Sequence, residues 1–249
     1  MWNDQRIAVV LPTYNERDSI AAVIKGFQSL GIVDDIVVVN NNATAGTSDE
    51  VAGTGAREVH EATQGYGAAI RRGLREAAGA DLICVCEPDG TFEPRDLHKL
   101  LPFTAECEVV FGSRTVSTYI WRGANMGWFL RWGNWAVAKM IEVLYNTVYL
   151  SDVGCTMRVL SQDAAAAIEP CYTREGSSFG LEQLVLVVSS GASFVQVPVN
   201  YRPRVGESAV TGDLMKAVKL GIEMIGIALL SRLRRRSLRR RMGPIPGPR

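Results

Sequence analysis

Short, continuous apolar runs alternating with helical stripes set the pattern of the first 115 positions. The first run, Ile7-Ala8-Val9-Val10-Leu11, is what a parallel strand buried on both faces requires. It ends in the turn formers Pro12-Thr13-Tyr14-Asn15-Glu16-Arg17, after which Ile20, Val23, Ile24 and Phe27 recur at helical spacing. Asp18 or Ser19 is suited to cap that helix, and Gly31 closes it. Asp35-Ile36-Val37-Val38-Val39 predicts a second strand, running into Asn40-Asn41-Asn42. A short helix over 48–52, a small strand at Glu58-Val59-His60 and a helix opened by Gly65-Tyr66-Gly67-Ala68-Ala69 follow. Residues 82–86 read as the next strand, Pro94 as a helix start, and Val109-Val110-Phe111 as a strand before Gly112-Ser113-Arg114. The order β-α-β-α-β-α-β-α-β predicts an α/β fold, a mostly parallel central sheet flanked by helices.

The second half reads differently. Residues 119–150 hold four of the five tryptophans, Trp121, Trp128, Trp132 and Trp135, together with Phe129, Tyr145 and Tyr149. A helix packed on the sheet would account for about half of these rings, and the remainder, beside Arg122 and Arg131, suits a headgroup boundary. Asp152-Val153-Gly154-Cys155-Thr156-Met157-Arg158 leads to another strand; residues 179–189 predict a helix and 194–199 a strand. From Leu214 a last helix carries Leu214, Val218, Ile222, Ile225 and Leu229 on one face and Lys216, Lys219 and Glu223 on the other. Residues 243–248, rich in Gly and Pro, are expected to be disordered. The expected organisation is a catalytic domain over 1–212 and an amphipathic helix with an Arg-rich tail over 213–249.

Composition changes this picture in one place. The 249 residues, 47% hydrophobic and 21% charged, fit one large domain. The net charge of +1 hides a cluster: Arg232, Arg234, Arg235, Arg236, Arg239, Arg240, Arg241 and the terminal Arg249. Removing these eight from 27 Lys and Arg leaves 19 against 26 acidic residues, a body at −7. A cationic tail behind an apolar helix fits an anionic membrane surface. No aromatic or base-reading module accompanies the tail, so nucleic acid is not an expected partner. Five cysteines and two histidines form neither a disulfide framework nor a zinc pattern; Cys84 and Cys86 belong on one face of a buried strand. Met1-Trp2-Asn3-Asp4-Gln5-Arg6 leads directly into a strand, so no signal peptide is expected, and no run of 18 apolar residues would span a membrane.

Candidate chemistry gathers after residues 82–86, where Glu87-Pro88-Asp89-Gly90 follows. Pro88 and Gly90 stop the strand, and ligands of open α/β sheets bind just outside that end. Two carboxylates one residue apart suit a hard divalent cation that keeps positions open for phosphate oxygens. Glu87 and Asp89 are therefore candidate ligands of Mg²⁺ or Mn²⁺. Arg114, Arg131 and Arg204 are candidate phosphate clamps, because guanidinium binds phosphate in bidentate fashion. Asp152 and Glu182 are the carboxylates available as a general base, should the acceptor be a hydroxyl. Each could equally orient an arginine or cap a helix.

Five segments in a fixed order carry a family resemblance: Val10-Leu11-Pro12-Thr13-Tyr14-Asn15-Glu16, Gly65-Tyr66-Gly67-Ala68-Ala69, Glu87-Pro88-Asp89-Gly90, Gly112-Ser113-Arg114 and Arg204-Val205-Gly206-Glu207-Ser208. Over roughly residues 5–210 the chain resembles the inverting glycosyltransferases of family 2, in particular polyprenol-phosphate sugar synthases of the dolichol-phosphate mannose synthase kind. The resemblance implies the GT-A type, Rossmann-like nucleotide-diphospho-sugar transferase fold. It implies a UDP- or GDP-sugar donor contacted by Pro12, Tyr14, Glu16, Asn40, Asn42, Gly65, Glu87, Asp89, Arg114 and Arg131. Asp89, Arg204, Asp152 and Glu182 are the candidate catalytic residues. A polyprenyl phosphate acceptor is implied, hence a cytoplasmic enzyme peripheral on the inner face of the membrane. The chain departs from the family where Asn40-Asn41-Asn42 replaces aspartates, where Glu87 replaces the first aspartate of the metal motif, and where Ala209 replaces a lysine. The alternative is transfer to a saccharide or small-molecule hydroxyl. A nucleotidyltransferase would need a G-x-G-x-R loop where Pro12-Thr13-Tyr14-Asn15-Glu16 stands, and a non-catalytic binding module would have no use for Glu87, Asp89 and Arg204 together.

Overall fold

The computed structural model describes residues 1–206 and 214–245. Among these, β1 (Ile7–Thr13), β2 (Asp35–Asn40), β3 (Arg57–His60), β4 (Leu82–Val85), β5 (Val109–Ser113), β6 (Arg158–Ser161) and β7 (Phe194–Pro198) form one sheet in the order β3-β2-β1-β4-β6-β5-β7. Every pairing is parallel except those of β6, which runs antiparallel to both β4 and β5. The helices are α1 (Arg17–Gln28), α2 (Thr47–Ala52), α3 (Tyr66–Glu76), α4 (Leu97–Leu100), α5 (Trp128–Tyr145), α6 (Gln162–Ile168), α7 (Phe179–Ser190), α8 (Leu214–Leu233) and α9 (Arg235–Arg241).

Side chains of β1 alternate between two cores, as the pleat requires. Ile7, Val9 and Leu11 pack with Ile20, Ile24 and Phe27 of α1 and with Leu97 and Leu100 of α4. Ala8 and Val10 face the other core, made by α3, α5, α6, α7 and part of α8. Cys84 and Cys86 share the first core, as their spacing indicates. Helix α7 is buried along its whole length to Ser189, because α3, α5, α6, α8 and α9 surround it.

Four expectations change. Helix α1 begins after Glu16 rather than after Asp18 or Ser19, and the Ser19 hydroxyl donates to the Pro88 carbonyl instead. The helix at Pro94 is a single α-turn between two 3-10 turns. Of the eight aromatic residues in 119–150 only Tyr145 is buried; Tyr119 is half-buried, and Trp121, Trp128, Phe129, Trp132, Trp135 and Tyr149 are exposed. The arginine-rich segment is no free tail. It forms α9, which packs on α7, and Gly243 donates its N–H to the Ala167 carbonyl. The boundary expected at 212–213, together with Glu207, Ser208 and Ala209 and the end of the chain from 246, lies outside the described residues.

The antiparallel strand positions the site. Carboxyl ends of β1, β4, β5 and β7 share one edge of the sheet, and the reversal of β6 brings its amino end, residues 151–157, to that same edge. The order reverses beside β1, between β2 and β4, which is where open sheets leave a crevice.

Candidate active site

A cavity of about 740 Å³ opens at this edge. The end of β1 and the loop after it supply Pro12, Thr13, Tyr14 and Glu16, the loop after β4 Glu87 and Asp89, and the residue after β5 Arg114. Val153, Gly154 and Thr156 enter ahead of β6, Tyr201, Pro203 and Arg204 after β7, and Leu181, Leu220 and Met224 from α7 and α8.

Glu16 organises its own loop. One carboxylate oxygen accepts the N–H groups of Tyr14 (2.7 Å) and Asn15 (2.9 Å), and the other accepts from an Arg204 terminal nitrogen at 2.7 Å. The second terminal nitrogen of Arg204 lies 3.0 Å from Asp89 Oδ2. The far oxygen of Asp89 accepts from the Thr91 N–H at 2.9 Å and the Thr91 hydroxyl at 2.6 Å. One guanidinium thus ties the β1 and β4 loops together across the charged wall of the cavity. Glu87 has no hydrogen-bond donor on its carboxylate among the described residues. Burial, followed by the neighbouring charge of Asp89, pushes its carboxyl up to about 7, against the pull of Arg204.

Asp152 is fully buried, and both its oxygens are engaged. Oδ2 accepts from the Arg114 N–H (2.8 Å) and Nε (2.9 Å); Oδ1 accepts from Arg114 Nη2 (3.0 Å) and the Gly154 N–H (2.9 Å). Burial alone would raise this carboxyl, but the Arg114 guanidinium and these donors hold it below the usual range. Glu182 lies on α7, buried, and accepts from the Thr173 N–H and hydroxyl and from the Arg174 N–H. Of the two candidate bases, Asp152 orients an arginine and Glu182 secures the 173–174 loop, and neither lines the cavity.

Other expectations are redistributed among neighbours. Asn40 is turned away from the cavity, bonded to Glu58 and to the Ala43 N–H. Asn42, at a φ of 56°, donates to Gln64 and the Ala62 carbonyl. Asn41 between them reaches the cavity, its amide held by Gly65, Glu61 and Thr63. Gly65 does not line it: the Glu175 carbonyl caps the start of α3, and a Cβ on Gly65 would stand 2.3 Å from that oxygen. Arg131 is exposed on α5 beside Trp128 and Trp132 and is not among the lining residues. Sequence reasoning missed Asn41, Gln64, Tyr66, Thr156, Tyr201, Leu220 and Met224 as lining residues. Tyr66 carried a signal as part of the glycine-rich helix start, and Asn41 as the middle of Asn40-Asn41-Asn42.

Comparison with known proteins identifies the family. The family described as "Glycosyl transferase family 2" matches residues 8–167. An uncharacterized glycosyltransferase of Mycobacterium tuberculosis is 30% identical over 218 residues, 85% of this chain and 93% of that one. The undecaprenyl-phosphate mannosyltransferase of Micrococcus luteus is 25% identical over 256 residues, 96% and 99% of the two chains. Among solved structures, glucosyl-3-phosphoglycerate synthase from Mycobacterium tuberculosis, in complex with Mn²⁺, UDP and phosphoglyceric acid, superposes with a TM-score of 0.70. It is 19% identical, and the match covers 92% of this chain and 78% of that one.

Proposed function

The chain belongs to glycosyl transferase family 2 and is a glycosyltransferase of the GT-A fold, and from that premise we propose that it transfers a sugar, with inversion, from a UDP- or GDP-sugar to a polyprenyl phosphate. The observation that carries this reading is the two-sided cavity. Charged residues, Glu87, Asp89, Arg114 and Arg204, share it with Leu181, Leu220 and Met224, and α8 exposes Ile222, Ile225, Leu229 and Leu233 to solvent. An acceptor with an anionic head and an apolar chain complements both. The name of the Micrococcus luteus relative supports the same acceptor class.

Glu87 and Asp89 fit a divalent ion: hard oxygen donors, with the Glu87 carboxylate unpartnered among the described residues. No cluster of three or more acidic, His or Cys side chains is arranged to hold an ion among those residues, so the diphosphate would complete the coordination. Bound there, Mg²⁺ or Mn²⁺ would neutralise charge developing on the leaving diphosphate. Arg204 and Arg114 add fixed positive charge on the same group. The acceptor phosphate has its second pKa near ~6, so one of its oxygens is already nucleophilic. It would bond to the anomeric carbon as the bond to the diphosphate breaks on the opposite face. That displacement leaves no task for a base, consistent with the bonds that occupy Asp152 and Glu182. In this reading residues 1–212 are the catalytic domain and 213–249 a segment that meets the inner membrane face from the cytoplasm, with Leu220 and Met224 of α8 walling the cavity. Among the described residues no helix is long and apolar enough to cross a membrane.

The test is transfer of labelled hexose from UDP- and GDP-sugars, with Mn²⁺, to a short polyprenyl phosphate and, in parallel, to soluble phosphorylated and hydroxyl acceptors. Label extracted into organic solvent with the lipid is the expected result. Label appearing only on a soluble acceptor would overturn the acceptor assignment.

A further inference from the structure

Strand β7 reads Phe-Val-Gln-Val-Pro, and its one polar residue, Gln196, lies on the same face as the core residue Phe194. A glutamine in such a place must satisfy its amide within the protein. It does so on the main chain ahead of β6. Oε1 accepts from the N–H groups of Ser151 (2.6 Å) and Asp152 (3.2 Å), and Nε2 donates to the Asp152 carbonyl. The Ser151 hydroxyl adds a contact to Oε1 at 3.2 Å. The amide thus splints residues 151–152 as a neighbouring strand would.

The splinted residue is the one that grips Arg114 through Nε and Nη2. Gly154 leaves room for that grip: a Cβ there would stand 2.6 Å from Arg114 Nη2 and 2.8 Å from Asn134 Oδ1. Of the five guanidinium N–H groups, Asp152 takes one on Nε and one on Nη2, so the opposite edge remains for the cavity that Arg114 lines. Tyr201 lies 5.2 Å beneath the guanidinium. A long cationic side chain ordinarily loses rotamer freedom when it meets a ligand, and here the protein has removed that freedom beforehand.

We infer that Gln196 and Asp152 are positioning residues for a phosphate ligand, acting through Arg114 by fixing which guanidinium edge faces the cavity. The inference rests on the proposed reaction, in which Arg114 meets phosphate. That phosphate belongs either to the donor diphosphate or to the acceptor, and two binding titrations separate them. Calorimetry with UDP or GDP plus Mn²⁺, and with a short polyprenyl phosphate, is run on wild type, Arg114→Met, Gln196→Leu and the double variant. Expected is that Gln196→Leu weakens the same phosphate ligand as Arg114→Met, by about tenfold or more, and by less than about twofold once Arg114 is already Met. A merely structural glutamine would lower the melting temperature and add its effect to that of Arg114→Met. If Gln196→Leu does not fold, Gly154→Ala, which displaces the guanidinium while leaving the glutamine bonds in place, takes its position in the cycle. Additive losses, or a Gln196→Leu protein that binds both ligands normally, overturn the inference and leave the transferase reading standing. Normal binding of both ligands by Arg114→Met does the same. A wild-type protein that binds neither ligand removes the reading and the inference together.

Discussion

At Asp89 a single carboxylate bonds to Thr91 through one oxygen and faces Arg204 through the other. The proposed seat needs its charge, and Asp89→Asn keeps the shape while removing it. The expected result is transfer reduced at least about a hundredfold, the scale at which loss of one preorganised electrostatic partner is felt, with melting temperature little changed. Asp152→Asn should behave differently, because it leaves the buried Arg114 guanidinium without its counter-charge. A cost of about 3–5 kcal/mol is expected in denaturant unfolding. The Asp152 carboxyl is held below its ordinary 3.8, so its contribution is complete above that pH and disappears as pH falls through the lowered folded value. The gap between wild type and variant should therefore be constant from pH 8 to about 5 and close in stronger acid. Residue types were readable in the sequence at this scale, and their directions were not. Asn40, Asn41 and Asn42 read alike, but the left-handed φ at Asn42 and the side-chain bonds of Asn40 leave only Asn41 at the cavity. A carboxylate in a D-x-G loop looks like a base until the arginine 38 residues earlier in the chain is found on it.

Elements were the most legible part, since strands buried on both faces must be apolar throughout and amphipathic helices must show a stripe. Direction was hidden. Nothing local to Arg158–Ser161 says that β6 runs against β4 and β5, yet that reversal delivers Asp152, Gly154 and Thr156 to the site. The arginine cluster was read by charge alone, and its partners are carbonyls. Arg232 donates to Leu144, Arg235 to Val188, Arg239 to Ser189 and Arg241 to Pro170. The first three acceptors lie in the last turns of α5 and α7, where the helix dipole and unpaired carbonyls favour cations. Arg239→Ala should cost about 0.5–1 kcal/mol, seen as a lower urea midpoint with transfer per folded molecule unchanged. Arg236 and Arg240 are exposed on α9 and would be the ones to meet the anionic surface proposed above.

Across the molecule, α5 and α8 pack together through the Tyr145 hydroxyl on the Ala228 carbonyl, and each leaves large apolar side chains in solvent. Trp128 is 79% exposed and Leu233 83%, and the membrane surface proposed above would cover them. If these faces rest on a bilayer, burying one such side chain contributes about 1.5–3 kcal/mol. Leu233→Glu combined with Trp132→Ala should then reduce sedimentation with anionic vesicles at least about tenfold, with nucleotide binding unchanged. Helix α8 lines the cavity with Leu220 and Met224, so a lipid phosphate entering along that helix would have a short way to travel. All of this presumes that a diphosphate sits between the acidic pair and the arginines. The most direct measurement is a crystal structure with UDP or GDP and Mn²⁺, the ion located by its anomalous signal. Mn²⁺ is expected about 2.0–2.6 Å from an Asp89 oxygen, with the diphosphate between it and Arg204 or Arg114. A manganese peak elsewhere, or a diphosphate bound away from Asp89, would contradict this.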